Sequence, residues 1–262
     1  MKLAIVGAGK MGGAVLTGAL RAGVLGTADV GVYHPDERRR AQLASRYGVA
    51  ELDDDGVHHA DRILIGVKPQ AFERVAPLIA RRTGCYLSIM AGVPADAIAR
   101  RVGSRRVIRA MPNLGARVGL SSTALAALPE AGKEDLAFAE ALFAAVGRVH
   151  HLPESQFDAF TGLAASGPAF AAVIAEALAD GGVRSGFGRE VAQELARQVL
   201  EATARLLEDD GPADLKDEVA SAGGTAIAGV RELERHGARY AVMRAVEEAA
   251  LRAHELSRED EA

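Results

Sequence analysis

Four apolar residues, Leu3-Ala4-Ile5-Val6, run directly into Gly7-Ala8-Gly9-Lys10-Met11-Gly12, a G-x-G-x-x-G turn. No other stretch restricts the fold as much, because each glycine answers a different geometric demand. The first permits a tight turn, the second lets a pyrophosphate approach the backbone, and the third lets the following helix pack on the strand. A helix is expected over 14–22, closed by Gly23, with its free N–H groups aimed at the phosphates. The glycine spacing alone is a weak signal. The apolar strand before it and the apolar-periodic helix after it make it a dinucleotide site.

The rest of the first half continues this pattern. Strands are expected at 30–33, 63–67, 86–89, 106–110 and around 122–125, alternating with helices, the last of them over 138–146. Residues 149–152 read as a short strand or connector. Strands separated by helices of this length imply an α/β protein with a doubly wound parallel sheet, whose ligand lies at the carboxyl ends of the strands. The domain boundary is expected at 152/153.

Beyond Pro153 no strand pattern recurs. One long alanine-rich helix is expected over 154–181, kinked at Gly167-Pro168, followed by helices over 190–208, 225–235 and 239–256. The charged tail from Ser257 is expected to fray. Hydrophobic residues make up 49% of the 262-residue chain but aromatics only 4%, with no tryptophan. A helical half so poor in large side chains buries its apolar faces most readily against a second copy, so a homodimer is expected.

Composition excludes several functions. A net charge of −4 supplies no basic field for nucleic acid. The lone Cys85, within an expected strand, excludes an internal disulfide and a cysteine metal site, and reads as a small buried hydrophobe. The sequence offers no targeting segment and no apolar run expected to span a membrane, so a cytoplasmic protein is expected.

A longer set of segments resembles the pyrroline-5-carboxylate reductase family. It comprises the Ile5 to Gly12 turn, Val67-Lys68-Pro69-Gln70, Ala91-Gly92-Val93, Arg109-Ala110-Met111-Pro112-Asn113 and Phe157-Asp158-Ala159. Ser166-Gly167-Pro168-Ala169-Phe170, Ala177-Leu178-Ala179-Asp180-Gly181-Gly182-Val183, Leu215-Lys216-Asp217 and Ser221-Ala222-Gly223-Gly224-Thr225 follow, in order and nearly end to end. The resemblance implies an N-terminal Rossmann domain and a C-terminal all-helical dimerisation domain, with dimers that can associate further. It also implies hydride transfer from NAD(P)H to the C5 of a cyclic imine acid, giving L-proline.

On that resemblance the cofactor residues are Val6, Gly7, Ala8, Gly9, Lys10, Met11 and Gly12, then Val67, Lys68 and Pro69, then Ala91 and Gly92, with Asn113 toward the nicotinamide. The 221–225 loop (Ser221, Gly223, Gly224, Thr225) would hold the substrate carboxylate, and Glu154 matches a family glutamate near the substrate. Cofactor choice is read from the second strand's end, where Tyr33-His34-Pro35 precedes Asp36-Glu37-Arg38-Arg39-Arg40. Three arginines at a helix start oppose its macrodipole, so a phosphate held by His34 and Arg38 or Arg39 would explain them; a solvated charged face is the alternative. NADPH is therefore expected, with NADH left open. Three segments depart from the family: Ala222 replaces a proline and Ala226 a threonine whose hydroxyl would meet the imine nitrogen, Leu114-Gly115 replaces Thr-Pro, and Phe170 a tyrosine. They leave open another cyclic imine or carbonyl acid as substrate, or a cofactor-binding paralogue without turnover.

Overall fold

The computed structural model describes residues 1–80 and 84–259, with backbone alone for 258 and 259. It divides into two compact units, Met1–Ala165 with Ala249–Ala262, and Ser166–Glu248. The first unit is built in the order β1 (Leu3–Val6), α1 (Lys10–Arg21), β2 (Val30–Tyr33), α2 (Glu37–Tyr47), β3 (Ala50–Leu52), α3 (Asp54–Val57), β4 (Arg62–Ile65) and α4 (Pro69–Ile79). β5 (Cys85–Ser88), α5 (Ala95–Val102), β6 (Val107–Pro112), β7 (Ser121–Ala127), α6 (Lys133–Ala144), β8 (Gly147–His151) and α7 (Phe157–Phe160) complete it.

The eight strands form one sheet in the order β3-β2-β1-β4-β5-β6-β7-β8. Alternate residues of the central strands enter opposite cores. Leu3, Ile5, Val30, Val32, Leu64 and Leu87 pack with α1 and α6 on one face, while Ala4, Val6, Ile63, Ile65 and Tyr86 pack with α4 and α5 on the other. Both faces being covered explains why these strands are continuously apolar. The expectation of a wholly parallel sheet needs correction: β7 is antiparallel to β6, and β8 is parallel to β7. Only a short 3₁₀ turn, Leu114–Val118, separates β6 from β7. A parallel crossover needs a dozen or more residues, so the chain must reverse. The edge strand β3 was missed, because Ala50-Glu51-Leu52 carries no β-branched run.

The second unit contains α8 (Gly167–Arg184), α9 (Arg189–Leu206), α10 (Pro212–Val219), α11 (Thr225–Arg235) and the start of α12 (Ala238–Glu259). The expected single helix over 154–181 is instead a 3₁₀ turn (Glu154–Gln156), α7, a π turn (Thr161–Ala165) and α8. Pro168 accounts for the new start at Gly167, because a residue without an N–H is tolerated only in a helix's first turn. The eight-residue α10 also escaped the sequence reading.

The units divide elsewhere than at 152/153 because residues 154–165 are fastened to the sheet. Phe157, 1% exposed, packs with Met111 and Ala124, and Asp158 meets both His254 Nδ1 at 3.1 Å and Ser257 Oγ at 3.3 Å near the end of α12. Ser257 is thus helical and bonded; the rest of the tail expected to fray lies largely outside the described residues.

Within the second unit, Ala179, Ala192, Ala196 and Leu215 are the buried apolar side chains among the described residues. Val173, Ile174, Leu178, Val191, Leu195 and Val199 are exposed. The run Glu154–Arg184 is long and apolar enough to cross a membrane by length and composition, contrary to the sequence expectation; 11% of its most apolar window is buried.

Two outcomes follow from the amino-terminal ends of β4, β5 and β6. Asp135 is 2% exposed and accepts from Arg62 Nε at 2.9 Å and from Arg106. Asp135→Ala leaves the buried Arg62 with only the exposed Glu134, 3.2 Å from its Nη2, and urea unfolding should register a loss of about 3–5 kcal/mol. Removing Arg105, whose ion pairs are exposed and screened by solvent, should leave the urea midpoint nearly unchanged. Burial, then Asp135, push the Cys85 thiol up to about 12. The folded state therefore keeps a proton that the unfolded thiol releases above its ordinary value of 9.0. Stability should fall as pH rises toward 12, and Cys85→Ala should lack that part of the decline.

Candidate functional site

The carboxyl ends of β1, β2 and β4 open into a cleft of about 1520 Å³. Backbone geometry at its floor separates glycines the fold requires from one it does not. At Gly7, φ is +96°, and a Cβ there would lie 2.6 Å from Val67 N. One on Gly12 would lie 2.7 Å from the Gly7 carbonyl oxygen. At Gly9 nothing lies within 4 Å and the backbone (φ −73°, ψ −153°) is open to any residue. Folding does not ask for glycine at position 9, whereas a phosphate against the backbone does.

Gly9 is also the N-cap of α1, where no side chain caps the helix and no acidic residue occupies the first turn. The first intrahelical bond is Gly13 N to Gly9 O, leaving the N–H groups of Lys10, Met11 and Gly12 for an anion. The walls add charge of one sign. Lys10, Arg21, Arg39, Arg46, Lys68, Arg74 and Arg117 line the cleft, and no Asp or Glu lines it among the described residues. In a chain of net charge −4 this segregation focuses a field for a polyanionic ligand.

The β2 end bears on which dinucleotide fits. Asp36, the acidic residue nearest that end, caps α2 by accepting from Arg39 N at 2.9 Å. His34 Nδ1 accepts from Asp36 N at 3.0 Å, so Nε2 carries the ring proton and is the atom left to donate. Arg40 is committed to Glu51 and the His34 carbonyl. Tyr33, at the cleft's edge, donates to Asp54 at 2.8 Å, and burial followed by that carboxylate pushes its hydroxyl up to about 12. His34 and Arg39 thus border a site that no carboxylate lines among the described residues.

A family model described as pyrroline-5-carboxylate reductase dimerisation matches residues 154–256, and one described as NADP oxidoreductase, coenzyme F420-dependent, matches 2–92. A pyrroline-5-carboxylate reductase of Thermus thermophilus is 52% identical over 257 residues, covering 98% of each chain. The chain belongs to the pyrroline-5-carboxylate reductase family. It is an NADP-dependent oxidoreductase acting on a C=N bond. A relative from Synechocystis is 39% identical over 98% of this chain and 99% of its own. The crystal structure of the Streptococcus pyogenes enzyme superposes with a TM-score of 0.88 at 32% identity, covering 97% of this chain and 98% of that one. That of a Plasmodium falciparum pyrroline carboxylate reductase, which has NADP bound, superposes at 0.86 and 26% identity, covering 98% of each.

Among the residues singled out from sequence, Val6, Gly7, Ala8, Gly9, Lys10, His34, Val67 and Lys68 border the cleft. Arg38 does not; it is exposed, and Arg39 lines the cleft instead. Helical phase gives the reason: Arg39, Gln42, Leu43 and Arg46 recur at i, i+3, i+4 and i+7, so one face of α2 looks into the cleft and Arg38 lies off it. That spacing could have found Arg46 from sequence as well. Met11 packs partly on the core, Gly12 serves close packing, and Pro69 begins α4. Ala91 and Gly92 follow β5 without lining the cleft, and Gly92 (φ +77°) faces the backbone at Leu256. Asn113 is spent on backbone. Its Nδ2 donates to Ala164 O at 2.8 Å and its Oδ1 accepts from Gly115 N at 3.0 Å.

Ser221, Gly223, Gly224 and Thr225 lie in the second unit. There Gly223 adopts φ +68°, Gly224 N donates to Ser221 O at 3.0 Å, and α11 starts with no side-chain cap. Glu154 belongs to the first unit, where its Oε1 accepts from Ala95 N at 2.8 Å and Arg109 Nη1 at 2.9 Å.

The glycines give a sharp contrast. Gly9→Val should fold with an unchanged melting temperature yet lose NADPH binding, read by nucleotide fluorescence. Gly7→Ala, at positive φ and against backbone, should instead lower the melting temperature, with about 1–3 kcal/mol of strain. Arg39→Ala should weaken NADPH by roughly ten- to a hundredfold, the worth of one charge-assisted contact, with NADH little changed. Arg38→Ala should alter neither, by isothermal titration.

Proposed function

We propose that this chain reduces Δ1-pyrroline-5-carboxylate to L-proline with NADPH. The observation that carries the reading is the bare α1 N-terminus at Gly9, in a cleft walled by seven Lys and Arg side chains and free of carboxylates among the described residues. The 7–12 turn and the Val67-Lys68 loop hold the pyrophosphate and its flanking riboses, and His34 with Arg39 takes the 2′-phosphate. The Ala91–Gly92 loop, at the end of the strand next to β4, lies beside the nicotinamide. NADH serves as the weaker donor.

The protein's chemical task is small. When bound, NADPH supplies the hydride, and a protonated imine is already electrophilic at C5. What remains for the side chains is to orient the ring, hold its carboxylate and exclude water. The N–H groups at the start of α11 hold the carboxylate, with Gly223 and Gly224 letting it approach and Ser221 shaping the turn. No catalytic triad, carboxylate pair or metal is required.

One observation favours a second reading. Ala226 places a methyl where the family carries the hydroxyl that meets the imine nitrogen, which suits a ring of different size or a carbonyl acid.

The exposed apolar faces of α8 and α9 support a homodimer, and association of such dimers into a larger assembly. The same faces account for the apolar run Glu154–Arg184 without a membrane, since Glu176 and Asp180 lie within it. The protein works in the cytoplasm and binds no nucleic acid.

Purified protein should oxidise NADPH with pyrroline-5-carboxylate faster than with the six-membered homologue; the reverse order would establish the second reading. Ala226→Thr should raise kcat/KM by roughly two- to tenfold, the value of one net hydrogen bond, while Thr225→Ala should be nearly silent. Sedimentation should give a dimer or larger at micromolar concentration, and a monomer would exclude the assembly.

A further inference from the structure

α5 begins at Ala95 behind Pro94, a residue with no side chain able to cap it. Its cap comes from 59 residues away: Glu154 Oε1 accepts the Ala95 N–H at 2.8 Å. The same oxygen accepts from Arg109 Nη1 at 2.9 Å, and Arg109 is 4% exposed. The Arg109 guanidinium lies 4.7 Å over the buried Phe157 ring, and its Nε is the buried side-chain polar atom without a partner among the described residues. This cation is held in place by one carboxylate and one ring rather than by filling all its donors. Apolar replacement of a buried ion pair is commonly neutral or stabilising, so stability alone does not explain its presence.

The arrangement has a consequence for the loop after β5. Arg109 on β6 sits in register with Ser88 on β5. Ser88 Oγ accepts from Met90 N at 3.2 Å and fixes the loop's start, and Glu154 fixes its end at Ala95. Between these anchors lie Ala91 and Gly92.

We infer that Glu154 and Arg109 are positioning residues: together they cap α5 from a distance and thereby set the Ala91–Gly92 loop for the nicotinamide, and Glu154 moves no proton in the reaction. This rests on the proposed seating of NADPH across that loop. Glu154→Gln keeps an acceptor for Ala95 and removes the charge, while Glu154→Ala removes both.

The test measures NADPH affinity by fluorescence, amide exchange at Ala95, the split of KM and kcat, and the pH profile of the full-length protein. Glu154→Gln should retain kcat within about threefold with an unchanged pH profile. Glu154→Ala should speed exchange at Ala95 and weaken NADPH by roughly two- to thirtyfold, the range a helix cap spans, with Gln restoring most of it. A loss of kcat of a hundredfold or more in Glu154→Gln, or a displaced pH limb, at unchanged NADPH affinity would make Glu154 a proton donor and overturn the inference. Unchanged exchange and affinity in Glu154→Ala would overturn it equally. Affinity and exchange are read without substrate, so they stand apart from the proposed activity, which fails if the unmodified protein does not turn over pyrroline-5-carboxylate.

Discussion

Three stretches of backbone meet around Gly7. Cβ atoms built on Gly12 and Gly66 would each stand 2.7 Å from the Gly7 carbonyl oxygen, and one on Gly7 would stand 2.6 Å from Val67 N. The turn after β1, the first turn of α1 and the loop after β4 are thus closer than any side chain allows. This contact brings α1 down onto the sheet and opens the crevice between β1 and β4, where the strand order reverses direction. The loops that floor the cleft take their places from it.

Charge is sorted on top of that geometry. Acidic side chains near the cleft are consumed elsewhere: Asp36 caps α2, Asp54 accepts the Tyr33 hydroxyl's hydrogen bond, and Glu51 pairs with Arg40. The cations at the cleft wall keep their field because local carboxylates do not neutralise them. A protein of net negative charge can in this way present a positive site.

Much of this was legible beforehand because it depends on local rules. The glycine turn, the central strands and the helical second half follow from periodicity and from glycine's lack of a Cβ. Glu154 illustrates the limit. Its place at a helix start is visible in the sequence, but its partners Ala95 and Arg109 are 59 and 45 residues away. Asn113 is similar: half of its amide obeys the local turn rule at Gly115, and the other half is claimed by Ala164. The reversed β7 could have been read from the length of its connection to β6. The edge strand β3 could not, since Ala50-Glu51-Leu52 becomes a strand only by pairing with β2.

The sequence by itself determined that a strand and a bare helix N-terminus would meet at Gly9, because that requirement is written in consecutive residues. It likewise determined that the second half would be helical and too poor in large side chains to cover its own apolar faces. Tertiary structure alone decided that the segment after β8 is fastened to the sheet, and that a buried arginine holds a carboxylate over the start of α5. Each of these depends on which way a side chain points and on what the fold brings to it from distant parts of the chain, and no local pattern encodes that.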